Sequence, residues 1–314
     1  MLFRSGDERL DDVHFLLNNP LKIDLFTRDL ASALDSAVDM RTYLGLALDR
    51  LDGTRAHAHW AVPPQAPPTD ETLRATLALA AAHVDSAFAA LTPSERQHLL
   101  SITPSLLARF AESGRLDEVA GAEYEHHKRA LRLAKSVDIT QLFSAALRVS
   151  ALATALSSPH ALNLPADAAP VLPSVGGTLL YARQTGLGWI LVGGPDDNYY
   201  ARDDILCIID MGGDDVYVRS SAAPAAESSG VYLCIDYGGN DRYIGRAGSA
   251  IGGVDLLVDH AGNDIYQGRE MAQGASFCGI GLLWDRQGDD IYRSQRASQG
   301  CAFWGAGILI DSSG

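Results

Sequence analysis

Apolar positions change their period once along the chain, near residue 176, and the change divides the expected structure in two. Residues 7 to about 158 follow the 3.6-residue period of amphipathic helices. Leu10, Val13, Leu16 and Leu17 share one face, and Asn18-Asn19-Pro20 ends that segment. Asp24 to Leu51 keeps helical spacing and closes at Asp52-Gly53, before a loop rich in proline and alanine from Ala61 to Pro68. Thr69-Asp-Glu-Thr72 opens a helix expected to reach about Leu91. Thr92-Pro-Ser-Glu95 is a capping box with proline at the first helical position. Gly114 breaks the pattern; Leu116 to about Lys135 and Ile139 to about Ser157 resume it. Five or six helices follow from this reading.

Beyond residue 176 the period gives way to short β-branched and leucine runs between glycine turns. Pro159, Pro165, Pro170 and Pro173 interrupt any helix between the two regions, so 159–175 is the expected linker between a helical domain, 1–158, and a repeat domain, 176–314. One unit recurs in the latter. Gly230-Val-Tyr-Leu-Cys-Ile-Asp236-Tyr-Gly-Gly-Asn-Asp241-Arg-Tyr243 is matched at Gly253–Tyr266 and Gly279–Tyr292, and begins again at Gly305. Ile205–Tyr217 is the same unit without its leading glycine, and Gly194-Pro-Asp-Asp197-Asn-Tyr199 reads as a degenerate copy. The aspartates at 210, 236, 259, 285 and 311 stand 26, 23, 26 and 26 residues apart. A fixed period of this size is that of a solenoid, in which each unit buries its apolar face against its neighbours. The aligned glycines at 230, 253, 279 and 305 suit a tight bend or a close backbone approach. The expected fold class is α+β in separate domains: an all-α domain, then a parallel β-helix with one coil per repeat.

Such stacking turns repeat positions into columns. Asp210, Asp236, Asp259, Asp285 and Asp311 form one; Asp197, Asp215, Asp241, Asp264 and Asp290 form another; Tyr217, Tyr243, Tyr266 and Tyr292 form an aromatic ladder. Phe277 and Phe303, one period apart, predict a second ladder. Coils lie about 4.8 Å apart, so two unscreened charges in a column repel by roughly 1 kcal/mol in water and about 3–4 kcal/mol at an effective dielectric near 20. Two offsets are open. Ca²⁺ shared between turns would take Asp210, Asp215, Asp236, Asp241, Asp259, Asp264, Asp285 and Asp290 as ligands, with the Asn240 and Asn263 amides and glycine carbonyls. Alternatively each aspartate caps its own turn and points into solvent.

The arrangement resembles bacterial parallel β-helix repeat proteins, and its Gly-Gly-Asn-Asp and Gly-Asp-Asp turns resemble a loose form of the calcium-binding β-roll repeats of secreted toxins and proteases. The resemblance covers about residues 190 to 314. It implies a bacterial, exported protein (periplasmic or extracellular) with calcium as a ligand. It departs from the β-roll in having a period near 26 and no acidic turn in the second half of each unit.

Charge narrows the partners. The formal net charge is −14, which excludes a basic nucleic-acid surface; a glycan or protein partner is the expectation. From Gly176 onward there are sixteen Asp, two Glu, nine Arg and no Lys, so the acid sits at fixed repeat positions. No apolar run reaches the length of a membrane span. Cys207, Cys234, Cys278 and Cys301 form no CxxC pair; Cys207 and Cys234, in apolar runs, read as buried free thiols. Leu2–Ser5 reads as adaptor-encoded and the last repeat breaks off, so a fragment of a longer gene is expected.

Candidate catalytic chemistry is sparse. Asp255 is out of column, its equivalents being Tyr232, Gly281 and Gly307; it reads as a solvated strand position or as the general acid or base of a glycan hydrolase or lyase. Glu125-His126-His127, with Glu123 and Tyr124, lacks the i, i+4 histidine spacing of a metalloprotease helix and reads as a solvated face. His57 and His59 fall in the proline loop. No motif names a reaction. The expected function is an acidic, non-catalytic scaffold or binding surface, with a carbohydrate-active enzyme, or an accessory segment of a larger exported enzyme, as alternatives.

Overall fold

A computed structural model describes residues 18–35, 37, 39–52, 68–102, 122–165, 170–220 and 230–314. The segment around Leu10 to Leu17, His57, His59, most of the proline loop, Gly114 and the stretch from Leu116 to Gly121 lie outside the described residues.

Among the described residues six α-helices precede the strands: α1 (Ile23–Asp35), α2 (Met40–Asp52), α3 (Asp70–Ala87), α4 (Pro93–Ser101), α5 (Ala122–Ala134) and α6 (Ile139–Ala155). The single helical segment expected from Asp24 to Leu51 is two. Asp39 breaks it, because its Oδ1 accepts the Thr42 backbone N–H at 2.8 Å and hydroxyl at 2.7 Å, which starts a new helix. The capping box anticipated at Thr92 forms, and the helix start expected at Thr69 proves to be a second one. The Thr69 backbone N–H donates to Thr72 Oγ1 at 2.8 Å, and the Thr92 N–H to Glu95 Oε2 at 2.9 Å. Asp138 caps α6 through the Thr140 N–H at 2.9 Å. The helix begun at Thr69 ends at Ala87, short of Leu91.

The rest is a β-solenoid of about four coils, as the period predicted. One wall is parallel: β3 (Gly188–Gly193), β5 (Ile205–Asp210), β7 (Val231–Asp236), β10 (Val254–Asp259), β13 (Ile280–Asp285) and β16 (Ala306–Asp311). A second wall holds β4 (Tyr199–Tyr200), β6 (Val216–Arg219), β8 (Arg242–Gly245), β11 (Ile265–Gln267) and β14 (Ile291–Arg293). A short third wall is formed by β9 (Ala250–Ile251), β12 (Ser276–Phe277) and β15 (Ala302–Phe303), which pairs Phe277 with Phe303. At the N-terminal end the solenoid closes with antiparallel strands: β2 (Leu179–Thr185) on β3, and β1 (Val175–Gly176) on β4.

Strands β5, β7 and β10 are buried at every position, because both faces are covered. Leu233, Ile235, Leu256, Val258 and Leu282 belong to a core shared with Leu73, Leu77, Val84, Leu142 and Leu152 of α3 and α6. Tyr232, Cys234, Leu257 and Leu283 point the other way, into the solenoid, among the tyrosines. The regions expected as separate domains therefore bury apolar surface against each other. Each such buried leucine contributes about 1.5–3 kcal/mol. Glycines mark the closest approaches: a Cβ on Gly253 would lie 2.0 Å from the Gly230 carbonyl oxygen, and one on Gly305 would lie 1.9 Å from that of Gly279.

Candidate metal centre

The turns leaving β5, β7, β10 and β13 each carry two aspartates that face inward. Pairing aligns Asp210, Asp236, Asp259, Asp285 and Asp311 in one file. The first four are fully buried, which overturns the solvent-pointing alternative for this column. The cause is strand parity: the aspartate ending β7 shares the inner face with Tyr232 and Cys234.

In Asp210, Asp236 and Asp259 the two carboxylate oxygens have distinct work. Oδ1 closes its own turn, accepting the N–H of Gly212, Gly238 and Ala261 at 2.9, 2.8 and 3.1 Å for Asp210, Asp236 and Asp259. Oδ2 accepts a tyrosine hydroxyl from the preceding coil. Tyr200 donates to Asp210, Tyr217 to Asp236 at 2.5 Å, Tyr243 to Asp259 at 2.6 Å, and Tyr266 to Asp285 at 2.9 Å. The expected aromatic ladder holds these hydroxyls in place. From Tyr200 to Tyr292 the rings stack with centroids 5.2, 4.7, 4.7 and 4.8 Å apart.

The second column runs Asp215, Asp241, Asp264 and Asp290. Oδ1 of each accepts the backbone N–H of its counterpart one coil back: Asn198, Asp215, Asp241 and Asp264, at 2.6, 2.6, 2.6 and 2.7 Å. Asn198 therefore heads this column and Tyr200 heads the ladder. Asp197, placed there by the sequence alignment, is one residue out of register; it accepts the Asp214 N–H at 3.0 Å, on the exposed side. Asn240 and Asn263, expected among the cation ligands, also lie outside. Asn240 Oδ1 accepts the Asn263 N–H at 3.1 Å and Asn263 Oδ1 the Asp289 N–H at 2.8 Å, so their amides link neighbouring turns.

The inner oxygens are left over. Oδ2 of Asp241, Asp264 and Asp290, and Oδ1 of Asp285, are buried with no hydrogen-bond donor while the carboxyls are ionised. They converge in three groups, Asp215–Asp236–Asp241, Asp241–Asp259–Asp264 and Asp264–Asp285–Asp290, with one oxygen per residue lying within 4.8 Å of the others. These groups could hold a metal ion. No ion pair among the described residues involves any of these aspartates. Burial, added to by neighbouring carboxylates, pushes Asp210 up to about 6, Asp264 and Asp285 to about 7, Asp215 to about 8 and Asp241 to about 10. Asp236 and Asp259 are raised for the same first cause. Two offsets suit facing carboxyls: a proton shared within a turn, or a cation.

The other candidates divide. Asp255 is 3% exposed, so the solvated position expected of it is wrong: parity turns it into the solenoid. There it pairs with Arg219, whose guanidinium lies 3.5 Å from the centre of the Tyr232 ring. Arg246, also buried, adds a second positive charge. A partner for Asp255 was not legible, since Arg219 is 36 residues away. His126 is exposed, whereas His127 is buried in the helical core, so the face expected to be solvated is only partly so. Cys207, Cys234 and Cys278 are buried free thiols and Cys301 is half-buried. No helix among the described residues is long and apolar enough to cross a membrane. No protein-family model, no curated protein and no solved structure matches the chain.

Proposed function

We propose that the protein is a non-catalytic, exported acidic scaffold whose coils are locked together by Ca²⁺ held between the turns. Its solenoid walls would offer a rigid surface to a glycan or protein partner, and the helices cover the long wall. The observation that carries this reading is the set of three carboxylate groups in register, six of whose seven members are buried, with no ion-pair partner among the described residues. All the donors are oxygens, which suit a hard cation, and Ca²⁺ accepts irregular oxygen geometry more readily than Mg²⁺. The alternative of a glycan-cleaving enzyme centred on Asp255 loses support, because that carboxylate is buried against Arg219.

Thermal melting of the full chain tests the lock. Because Ca²⁺ binds only the folded turns, an ion at about 100 times its Kd adds about 2.7 kcal/mol. The melting temperature is expected to rise by several degrees in millimolar Ca²⁺ relative to excess EGTA. Identical melting in the two buffers rejects the proposal.

A further inference from the structure

We infer that the three carboxylate groups form one continuous row of three divalent ions, in which Asp241 and Asp264 are bridging ligands. The inference rests on the calcium-lock reading and specifies its stoichiometry and order. Asp241 belongs to both the first and the second group, and Asp264 to both the second and the third. Asp215 and Asp236, like Asp285 and Asp290, serve one group each.

A second observation points to a ligand independently of the clustering. Asp241 and Asp264 are 1% and 0% exposed, and each has an Oδ2 with no donor, while its Oδ1 accepts one backbone N–H. The spare oxygens face the interior, where bulk water does not reach them. Coil spacing makes sharing geometrically natural: ions one coil apart are separated by about 4.8 Å, a gap one carboxylate can span. Charge agrees with the count. Seven carboxylates line the row, and three divalent ions leave it with a single negative charge. The hydroxyls of Tyr217, Tyr243 and Tyr266 donate to Oδ2 of Asp236, Asp259 and Asp285, one member of each group, so any bound ion lies beside aromatic rings.

Native mass spectrometry and equilibrium dialysis of the full chain with Ca²⁺ give the count, and Tb³⁺ luminescence excited through tyrosine gives the place. Three Ca²⁺ per wild-type chain are expected. Asp215→Asn should retain two ions and Asp241→Asn one, because the latter removes a ligand from two groups. Tb³⁺ emission should appear on tyrosine excitation and be competed away by Ca²⁺. The wild-type count decides even where Asp241→Asn does not fold. One or two ions, equal losses in the two variants, or bound ions without tyrosine-sensitised emission would overturn the row while leaving a calcium effect on melting intact. No bound ion together with unchanged melting would overturn the lock as well.

Discussion

Asp241 faces Asp236 across its own turn and Asp264 across the next, and none of the three has an arginine or lysine ion-pair partner among the described residues. Such a residue stabilises the fold only in company, because ionising it alone in a buried site is costly. Its pH dependence follows from the sign of its shift. An acid whose folded-state pKa lies above its unfolded value binds more protons when folded, so it loses stability as pH rises between the two. Asp264 and Asp285 near 7, Asp215 near 8 and Asp241 near 10 all start from 3.8 unfolded. His260, lowered to about 4 by burial, acts in the opposite sense only below its unfolded value of 6.5. In excess EGTA the melting temperature should therefore fall from about pH 6.5 to about pH 9.5, and millimolar Ca²⁺ should flatten the slope by taking the place of the protons. A melting temperature in EGTA that stays level or climbs across that range would count against ionisable carboxyls in the ladder.

At the scale of the element, the turn and the glycine before each strand decide how closely coils stack. The Gly253 Cα lies against the Gly230 carbonyl, and a methyl group there has no room to move aside. Gly253→Ala should cost about 1–3 kcal/mol in urea unfolding, as overpacking does. Gly45, inside α2, has nothing within 4 Å of where a Cβ would stand. Gly45→Ala should instead raise stability by about 0.5–1 kcal/mol, through helix propensity. Equal effects of the two would mean that the coils do not approach as described. The repeated glycines were legible because their period is fixed, and close approach was one of the two uses expected of them. The division between α1 and α2 was missed because Asp39 sits inside an otherwise unbroken helical pattern, and its cap depends on one side chain.

Across the whole molecule, helices and solenoid complete one apolar core, with α6 packed on β7, β10 and β13 and α3 on β7. Loss of either exposes the other's apolar face, so the two should unfold together. Urea transitions followed by helical circular dichroism and by tyrosine and tryptophan fluorescence are expected to coincide. Two separated transitions would mean that the helical layer is only loosely attached. The antiparallel strands β1 and β2 occupy the end of the stack beside β4 and β3, where a parallel coil would otherwise present an open edge.

From the residues alone follow the coils, their register and the columns of aspartate and tyrosine, because a fixed period leaves one way to stack identical units. The degenerate first copy was misread by one residue, since without the apolar strand pattern nothing distinguishes Tyr199 from Tyr200. Which way the columns face was settled only by folding. In β7 and β10 nearly every residue before the terminal aspartate is apolar, so alternation carries no sign of inside and outside. α3 and α6 claim one face of that wall, and the aspartates, lying on the other, are enclosed with the tyrosines. Their burial is a property of what the helices cover, and no single repeat contains that information.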